Sequence, residues 1–246
     1  MNAFLIALHF LTRIHISNAL NYSEKELGRS ALWYPFVGLL IGIFLALCSI
    51  GFSALHLSSF VVATLLMSVW ILITGALHWD GLADSADAWL AGGDKEKTLI
   101  VLKDTHCGAA AIIVVGISLL VFCAALEQVV EKRTMEVILL APLLARSAGL
   151  LLLLTTPYVR KDGLGETLAQ HASLRWSIVI LLIVIFSTVF LLKWQSAIVL
   201  AGLSVLFLLL RRLMLLRIGG ITGDTIGALI VLSEIAVILL SVIGFN

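Results

Sequence analysis

Residues 137–154 read VILLAPLLARSAGLLLLL, eighteen positions carrying one charge, Arg146, and one proline, Pro142. A helix that crosses a bilayer needs about 20 mostly apolar residues. A soluble helix of that length would show a polar face, and this stretch has none. The same pattern recurs along the chain. Leu32–Phe52, Ser58–Leu77, Gly108–Leu126, Val137–Leu154, Trp176–Leu192, Ser196–Leu210 and Ile226–Phe245 are the candidate spans. The fifth and sixth are short, and only Lys193-Trp194-Gln195 divides them. A tight helical hairpin and a single re-entrant element both satisfy that spacing. The expectation is an all-α, polytopic transmembrane helix bundle of about seven spans.

Composition agrees. The 246 residues are 61% hydrophobic and 13% charged. Soluble domains are about 45–50% apolar and about 25% charged. The length suits a single domain over residues 1–246. A formal net charge of +1 offers no basic surface for nucleic acid. A membrane lipid environment is the implied partner, and homo-oligomerisation stays open. Cys48, Cys107 and Cys123 have no metal or redox spacing. Residues Met1–Leu11 are apolar but lack a basic n-region and a cleavage site, so they read as an N-terminal interfacial or half-inserted helix. His9, Arg13 and His15 would sit at its water edge.

Lysine and arginine set the orientation. When the intervening segments are assigned alternately to two faces, twelve of the sixteen fall on one face. Lys132, Arg133 and Lys193 fall on the other, and Arg146 lies inside a span. The N-terminus is therefore expected in the cytoplasm, and chemistry on the cytoplasmic side.

The acidic residues gather on that side. In His78-Trp79-Asp80-Gly81-Leu82-Ala83-Asp84-Ser85-Ala86-Asp87-Ala88, the aspartates stand at i, i+4 and i+7. If the second span continues as a helix, all three lie within about 60° of arc. Like charges at that spacing repel, and charge beside hydrocarbon is costly. A divalent cation is the simplest compensation, and the all-oxygen donors favour magnesium, calcium or manganese over zinc. Asp104 follows on the same side. It suits either a helix N-cap or a further metal ligand. Gly219-Gly220-Ile221-Thr222-Gly223-Asp224-Thr225-Ile226-Gly227 precedes the last span. Its freed backbone N–H groups and Thr222 suit a phosphate, and a plain capped turn is the alternative. Arg146 is a candidate phosphate clamp or a structural ion-pair partner. Arg13, Lys103 and Arg160 are further phosphate candidates. Glu234 needs a partner inside the last span. Gly38-Leu39-Leu40-Ile41-Gly42 and Gly223–Gly227 are small-residue steps that let helices approach closely.

The segment from His78 to Asp87 resembles the aspartate signature of the cobalamin synthase family, the adenosylcobinamide-GDP ribazoletransferases. The likeness extends through Phe10-Leu11-Thr12-Arg13, Tyr34-Pro35-Phe36-Val37-Gly38, Lys103-Asp104 with Gly108, Arg146, Tyr158 with Arg160, and Gly163-Leu164-Gly165. It closes on Gly219–Thr225 and Glu234. The chain departs from the family pattern at His106, where arginine is common, at Ala109-Ala110, where a His-Gly pair usually stands, and at Ala88, where glycine is common.

The resemblance implies an enzyme of a bacterial inner (cytoplasmic) membrane. It would join adenosylcobinamide-GDP to α-ribazole or α-ribazole 5′-phosphate and release GMP. Mg2+ would be held by Asp80, Asp84, Asp87 and Asp104. Asp84, Asp87 and Asp224 would be the catalytic carboxylates, with Asp87 or Asp224 taking the proton of the ribazole 3′-hydroxyl. Arg13, Lys103, Arg146, Arg160 and Thr222 would meet phosphate. The signature is also similar to that of the CDP-alcohol phosphotransferases, which act on lipid. A cation-coupled transporter is the other class that intramembrane Arg146 and Glu234 allow.

Overall fold

The computed structural model describes residues 2–14, 20, 22–160 and 164–243. His15, Lys161, Gly163 and Phe245 lie outside the described residues. Among those described, the chain forms twelve α-helices: α1 Asn2–Leu11, α2 Glu24–Ser30, α3 Tyr34–Ala54, α4 Ser59–Ile73, α5 Leu77–Leu90, α6 Lys95–Val101, α7 Ala109–Glu131, α8 Met135–Thr155, α9 Leu164–His171, α10 Leu174–Leu192, α11 Gln195–Ile218 and α12 Gly223–Ile243. A 3₁₀ turn, Ala31–Trp33, joins α2 to α3.

Six helical runs are long and apolar enough to cross a membrane, and α4 with α5 makes a seventh if the bent pair is one span. Six to seven spans, against the seven expected from hydropathy, make a polytopic helical bundle. Residues 174–218 form the hairpin rather than the re-entrant element. It turns at Lys193, whose φ is +52°. The helix expected to stop at Leu210 runs on to Ile218, and its basic side chains find partners at the end of α8 and on α6. Arg211 donates through Nε to Thr156 Oγ1 at 3.0 Å and through Nη2 to the Thr155 carbonyl at 2.6 Å. Arg217 Nε donates to Thr98 Oγ1 at 2.8 Å.

Helix α8 is the centre of the bundle. Most of its side chains, from Val137 to Leu153, are buried. Helices α3 and α12 pack most extensively on it, while α10 and α11 present large apolar side chains outward. Gly38 and Gly42 of α3 face the Pro142 and Leu139 carbonyls so closely that a Cβ at either would overlap them. On the opposite side, Gly81 of α5 lies against the Asp224 backbone, where a Cβ would stand 2.6 Å from its carbonyl oxygen.

The second span is where hydropathy and structure part. The aspartate segment was expected to continue it as one helix, yet α4 and α5 meet at 89°. Gly75 and Ala76 both adopt the left-handed conformation, with φ of +64° and +56°. Two such residues in succession end a right-handed helix. The break lies inside the bundle. Trp70, near the end of α4, hydrogen-bonds Glu234, which is about 15 Å along α12 from Asp224 by helical rise. Helix α5 then climbs back past α12, with His78 against Gly227, to the rim where Asp87 meets Gly108. The carbonyls left open at the break are taken up locally. Gly75, Ala76 and Thr74 N–H groups bond back into α4, and the Arg13 N–H donates to the Ile73 carbonyl at 2.7 Å. The N-terminal helix therefore docks against the break.

The α3–α8 contact gives the first prediction. Gly42→Ala should lower the thermal stability of the purified protein by about 1–3 kcal/mol, the usual cost of overpacking. Gly51→Ala on the same helix meets nothing within 4 Å and should leave the melting temperature unchanged.

Candidate functional site

Helix α5 carries Asp80, Asp84 and Asp87 to one end of the bundle, as their spacing requires. Their tasks then diverge. Both oxygens of Asp87 accept backbone N–H groups at the start of α7, Oδ2 from Gly108 at 2.7 Å and Oδ1 from Ala111 at 2.9 Å. The first N–H groups of a helix have no partner within it. Here a carboxylate from another helix supplies one, and the positive end of the α7 dipole favours its charge. Gly108 permits the approach, since a Cβ would stand 2.6 Å from Oδ1. Asp104, one candidate for capping α7, is released from that role. It accepts instead from the His106 ring at 2.6 Å and from the His106 N–H at 3.0 Å. Those hydrogen bonds hold the exposed Asp104 carboxyl below its ordinary pKa.

Asp224 stands in the first turn of α12 and is fixed from two directions. The turn before it is a reciprocal cap. Thr225 Oγ1 accepts the Thr222 N–H at 2.9 Å, and Thr222 Oγ1 accepts the Thr225 N–H at 3.3 Å. The buried Thr222 hydroxyl, a candidate phosphate contact, also donates to Asp224 Oδ2 at 3.3 Å. From the other side, Arg160 Nη2 pairs with Asp224 Oδ2 at 3.2 Å and donates to the Leu102 carbonyl at 3.2 Å. Arg160 is delivered by a short parallel pairing of two loops. The Val159 N–H donates to the Ile221 carbonyl at 2.9 Å, and the Ile221 N–H to that of Pro157 at 2.8 Å. Gly220 is required there because a Cβ would overlap the Pro157 carbonyl. Tyr158 accepts from the Gly223 N–H, and burial pushes its hydroxyl above the ordinary value, so it stays protonated.

These elements enclose an open cavity of about 520 Å³ lined by Asp80, Asp84, Lys103, Asp104, Arg160 and Asp224, with Leu102 and Thr105. Six of the sequence candidates therefore share one space. Asp84 stands in the electrostatic field of Asp80, Asp224 and Asp87, with Arg160 as the counter-charge. The donor set is all carboxylate oxygen, which suits magnesium. No group of three His, Cys, Asp or Glu side chains among the described residues closes on a single point. An ion held there would complete its sphere with water and phosphate oxygens, as magnesium commonly does.

Of the other four candidates, Asp87 and Thr222 brace the cavity without lining it, and Arg13 and Arg146 lie elsewhere. The Arg13 side chain runs against Gly75 at the α4–α5 break. Arg146, expected at a phosphate, is fully buried and ion-paired through Nη1 with Glu234 Oε1, which also accepts from Trp70 Nε1 at 3.0 Å. The structure thus takes the second alternative, a structural pair, with Glu234 rather than an aspartate as the partner. A charge this deep in a span needs its counter-charge beside it. Sequence reasoning missed the capping role of Asp87 and the part of Trp70. The small-residue run Gly108-Ala109-Ala110-Ala111 at a helix start was a usable signal for the first. Trp70 gave none, because a tryptophan in an apolar run looks like any other core residue.

A helical membrane bundle with one acidic, arginine-flanked cavity at its polar rim has the architecture of an integral membrane transferase. The family model described as cobalamin-5-phosphate synthase matches residues 3–242. The chain belongs to that family, and it is a transferase. It is 45% identical over 244 residues to an adenosylcobinamide-GDP ribazoletransferase of Pseudomonas putida, covering 97% of this chain and 98% of that protein. It is 44% identical over 242 residues to the Pseudomonas savastanoi protein of the same name, and 44% identical over 236 residues to that of Stutzerimonas stutzeri. Coverage is 97% and 98% in the first case and 95% of both chains in the second. No solved structure matches the chain.

Two predictions follow from the ties around the cavity. Asp87→Ala should lower thermal stability by about 1 kcal/mol, as loss of a helix cap does. It should also speed proteolysis of the 91–108 segment, and Gly108→Ala should reproduce both effects. Arg146→Met should destabilise the protein by about 3–5 kcal/mol, because it strands a buried carboxylate. Arg146→Met combined with Glu234→Leu should recover much of that loss in thermal unfolding.

Proposed function

We propose that this protein joins adenosylcobinamide-GDP to α-ribazole, or to its 5′-phosphate, and releases GMP. The observation that carries this proposal is the shared cavity of Asp80, Asp84, Asp104 and Asp224 with Lys103 and Arg160. Four carboxylates and two cations facing one space suit a polyphosphate donor with its counter-ion. The full-length relatives named adenosylcobinamide-GDP ribazoletransferase give the donor and acceptor their identity. The bias of Lys and Arg toward this end of the bundle supports a cytoplasmic active site in a bacterial inner membrane.

Phosphoryl transfer asks for positioning and charge neutralisation more than for covalent chemistry. Asp80, Asp84 and Asp104 would hold magnesium. Bound there, the ion would offset charge on the pyrophosphate and on the departing GMP. Lys103 and Arg160 flank the same space and meet phosphate oxygens. The acceptor 3′-oxygen attacks the phosphorus nearer the corrinoid. An oxygen–phosphorus bond forms, the bond to GMP breaks, and Asp224 takes the hydroxyl proton. Thr222 and Arg160 hold Asp224 in place for that step. Asp87 serves the site through α7, keeping the loop that carries Lys103 and Asp104 docked.

Single substitutions Asp80→Asn and Asp84→Asn, assayed for GMP release across magnesium concentrations, test the assignment. Each should lower kcat at least 100-fold and raise the magnesium concentration needed for half-maximal rate. Wild-type rate and magnesium dependence in both variants would remove the metal assignment. Release of CMP onto a lipid acceptor would identify the lipid-enzyme class instead.

A further inference from the structure

A second cavity, of about 240 Å³, lies beneath the acidic one, and Asp80, Arg160 and Asp224 line both. Its walls differ sharply from that rim. Phe10 and Leu11 of α1, Leu153 of α8, Leu168 of α9 and Ile230 of α12 make them apolar. At roughly 30 Å³ per water, the space equals about eight water molecules. That admits a bicyclic aromatic ring and excludes a corrin macrocycle. One polar ring looks into it. His78 is only 4% exposed and lines the cavity. An imidazole lining such a chamber offers one donor and one acceptor to whatever ring occupies it.

We infer that this lower chamber seats the apolar aromatic base of the acceptor, with His78 bonding the free ring nitrogen. The inference rests on the proposed function, which supplies a benzimidazole riboside as acceptor. The two cavities then divide the substrates by chemistry. Pyrophosphate and cation occupy the acidic space, and the flat base occupies the apolar one. A ribose joined to that base reaches the shared boundary, where Asp80 and Asp224 stand. The N-terminal helix gains a reason for docking on the α4–α5 break, since Phe10 and Leu11 close one wall. Burying an aromatic ring in such a chamber excludes water from the attacking side of the phosphorus.

The test is direct binding of α-ribazole to the purified full-length protein in lipid nanodiscs by isothermal titration calorimetry, alongside steady-state kinetics. Leu168→Trp and Ile230→Trp, on two different helices, fill the chamber. Leu208→Trp faces outward and serves as the control. Each filled variant should bind α-ribazole at least tenfold more weakly, raise the KM for α-ribazole alike, and leave the KM for adenosylcobinamide-GDP within twofold. His78→Phe keeps a ring and removes its nitrogen, and should weaken α-ribazole binding about tenfold, as loss of one hydrogen bond does. Unchanged α-ribazole affinity in all three variants overturns the inference. So does loss of a co-purifying phospholipid from the filled variants with α-ribazole affinity intact, which would make the chamber a lipid-tail site. Binding of α-ribazole that is sensitive to these variants, without any GMP release, would instead overturn the proposed function and leave the base site standing.

Discussion

Backbone N–H and C=O groups inside a membrane bundle must be bonded by protein, because little water reaches them. The rest of this molecule follows from where that rule is hardest to meet. The break between α4 and α5 opens a helix end within the bundle. The Ile73 carbonyl is closed by the Arg13 N–H, so the first helix is drawn into the core. The start of α7 is closed by Asp87, so the loop bearing Lys103 and Asp104 is pulled toward α5. The start of α12 is closed by its own Thr222 and Thr225, which also fixes Asp224. Three helix ends, satisfied by three separate devices, bring the walls of one cavity together.

Charge is distributed by the same logic. Arg146 lies at depth, and it is neutralised in place by Glu234 and braced by Trp70. The pair is balanced in charge, while the Arg146 Nε and Nη2 groups have no hydrogen-bond partner among the described residues. The unbalanced acidity stands at the rim instead, where Asp80 is exposed and Asp84 and Asp224 are half-buried. Among the described residues, only Arg160 is directly paired with one of them. A surplus of carboxylate at a water-accessible edge is a state that cations and phosphates can complete.

The broken span also explains why two unlike cavities can share a boundary. A straight second span would carry Asp80 along the same line as Trp70. After the turn at Gly75 and Ala76, the first turn of α5 lines the apolar chamber with Leu77, His78 and Gly81, and its next turns bring Asp80 and Asp84 to the acidic one. The apolar chamber below and the acidic space above are therefore consequences of one backbone event.

Much of this was legible in the chain itself. Apolar runs of 15–21 residues specify spans because hydrocarbon thickness sets a length. The Gly38–Gly42 step marked a close helix approach without naming its partner, and the spacing around Lys193 left a hairpin and a re-entrant element both open. The spacing of Asp80 and Asp84, and the glycine-rich turn before Asp224, marked the candidate site, and the resemblance named a family that the full-length match bears out. Tertiary structure alone decided the partners. Hydropathy averages over a window and passes through Thr74-Gly75-Ala76 without registering a change in backbone handedness. Periodicity puts Asp87 on the face of Asp80 and Asp84, but it cannot register that a helix start 21 residues later presents its N–H groups to that carboxylate. Nor can it pair Arg146 with Glu234, 88 residues apart. Local geometry is written in neighbouring residues, whereas the satisfaction of a buried polar group depends on which distant segment arrives beside it.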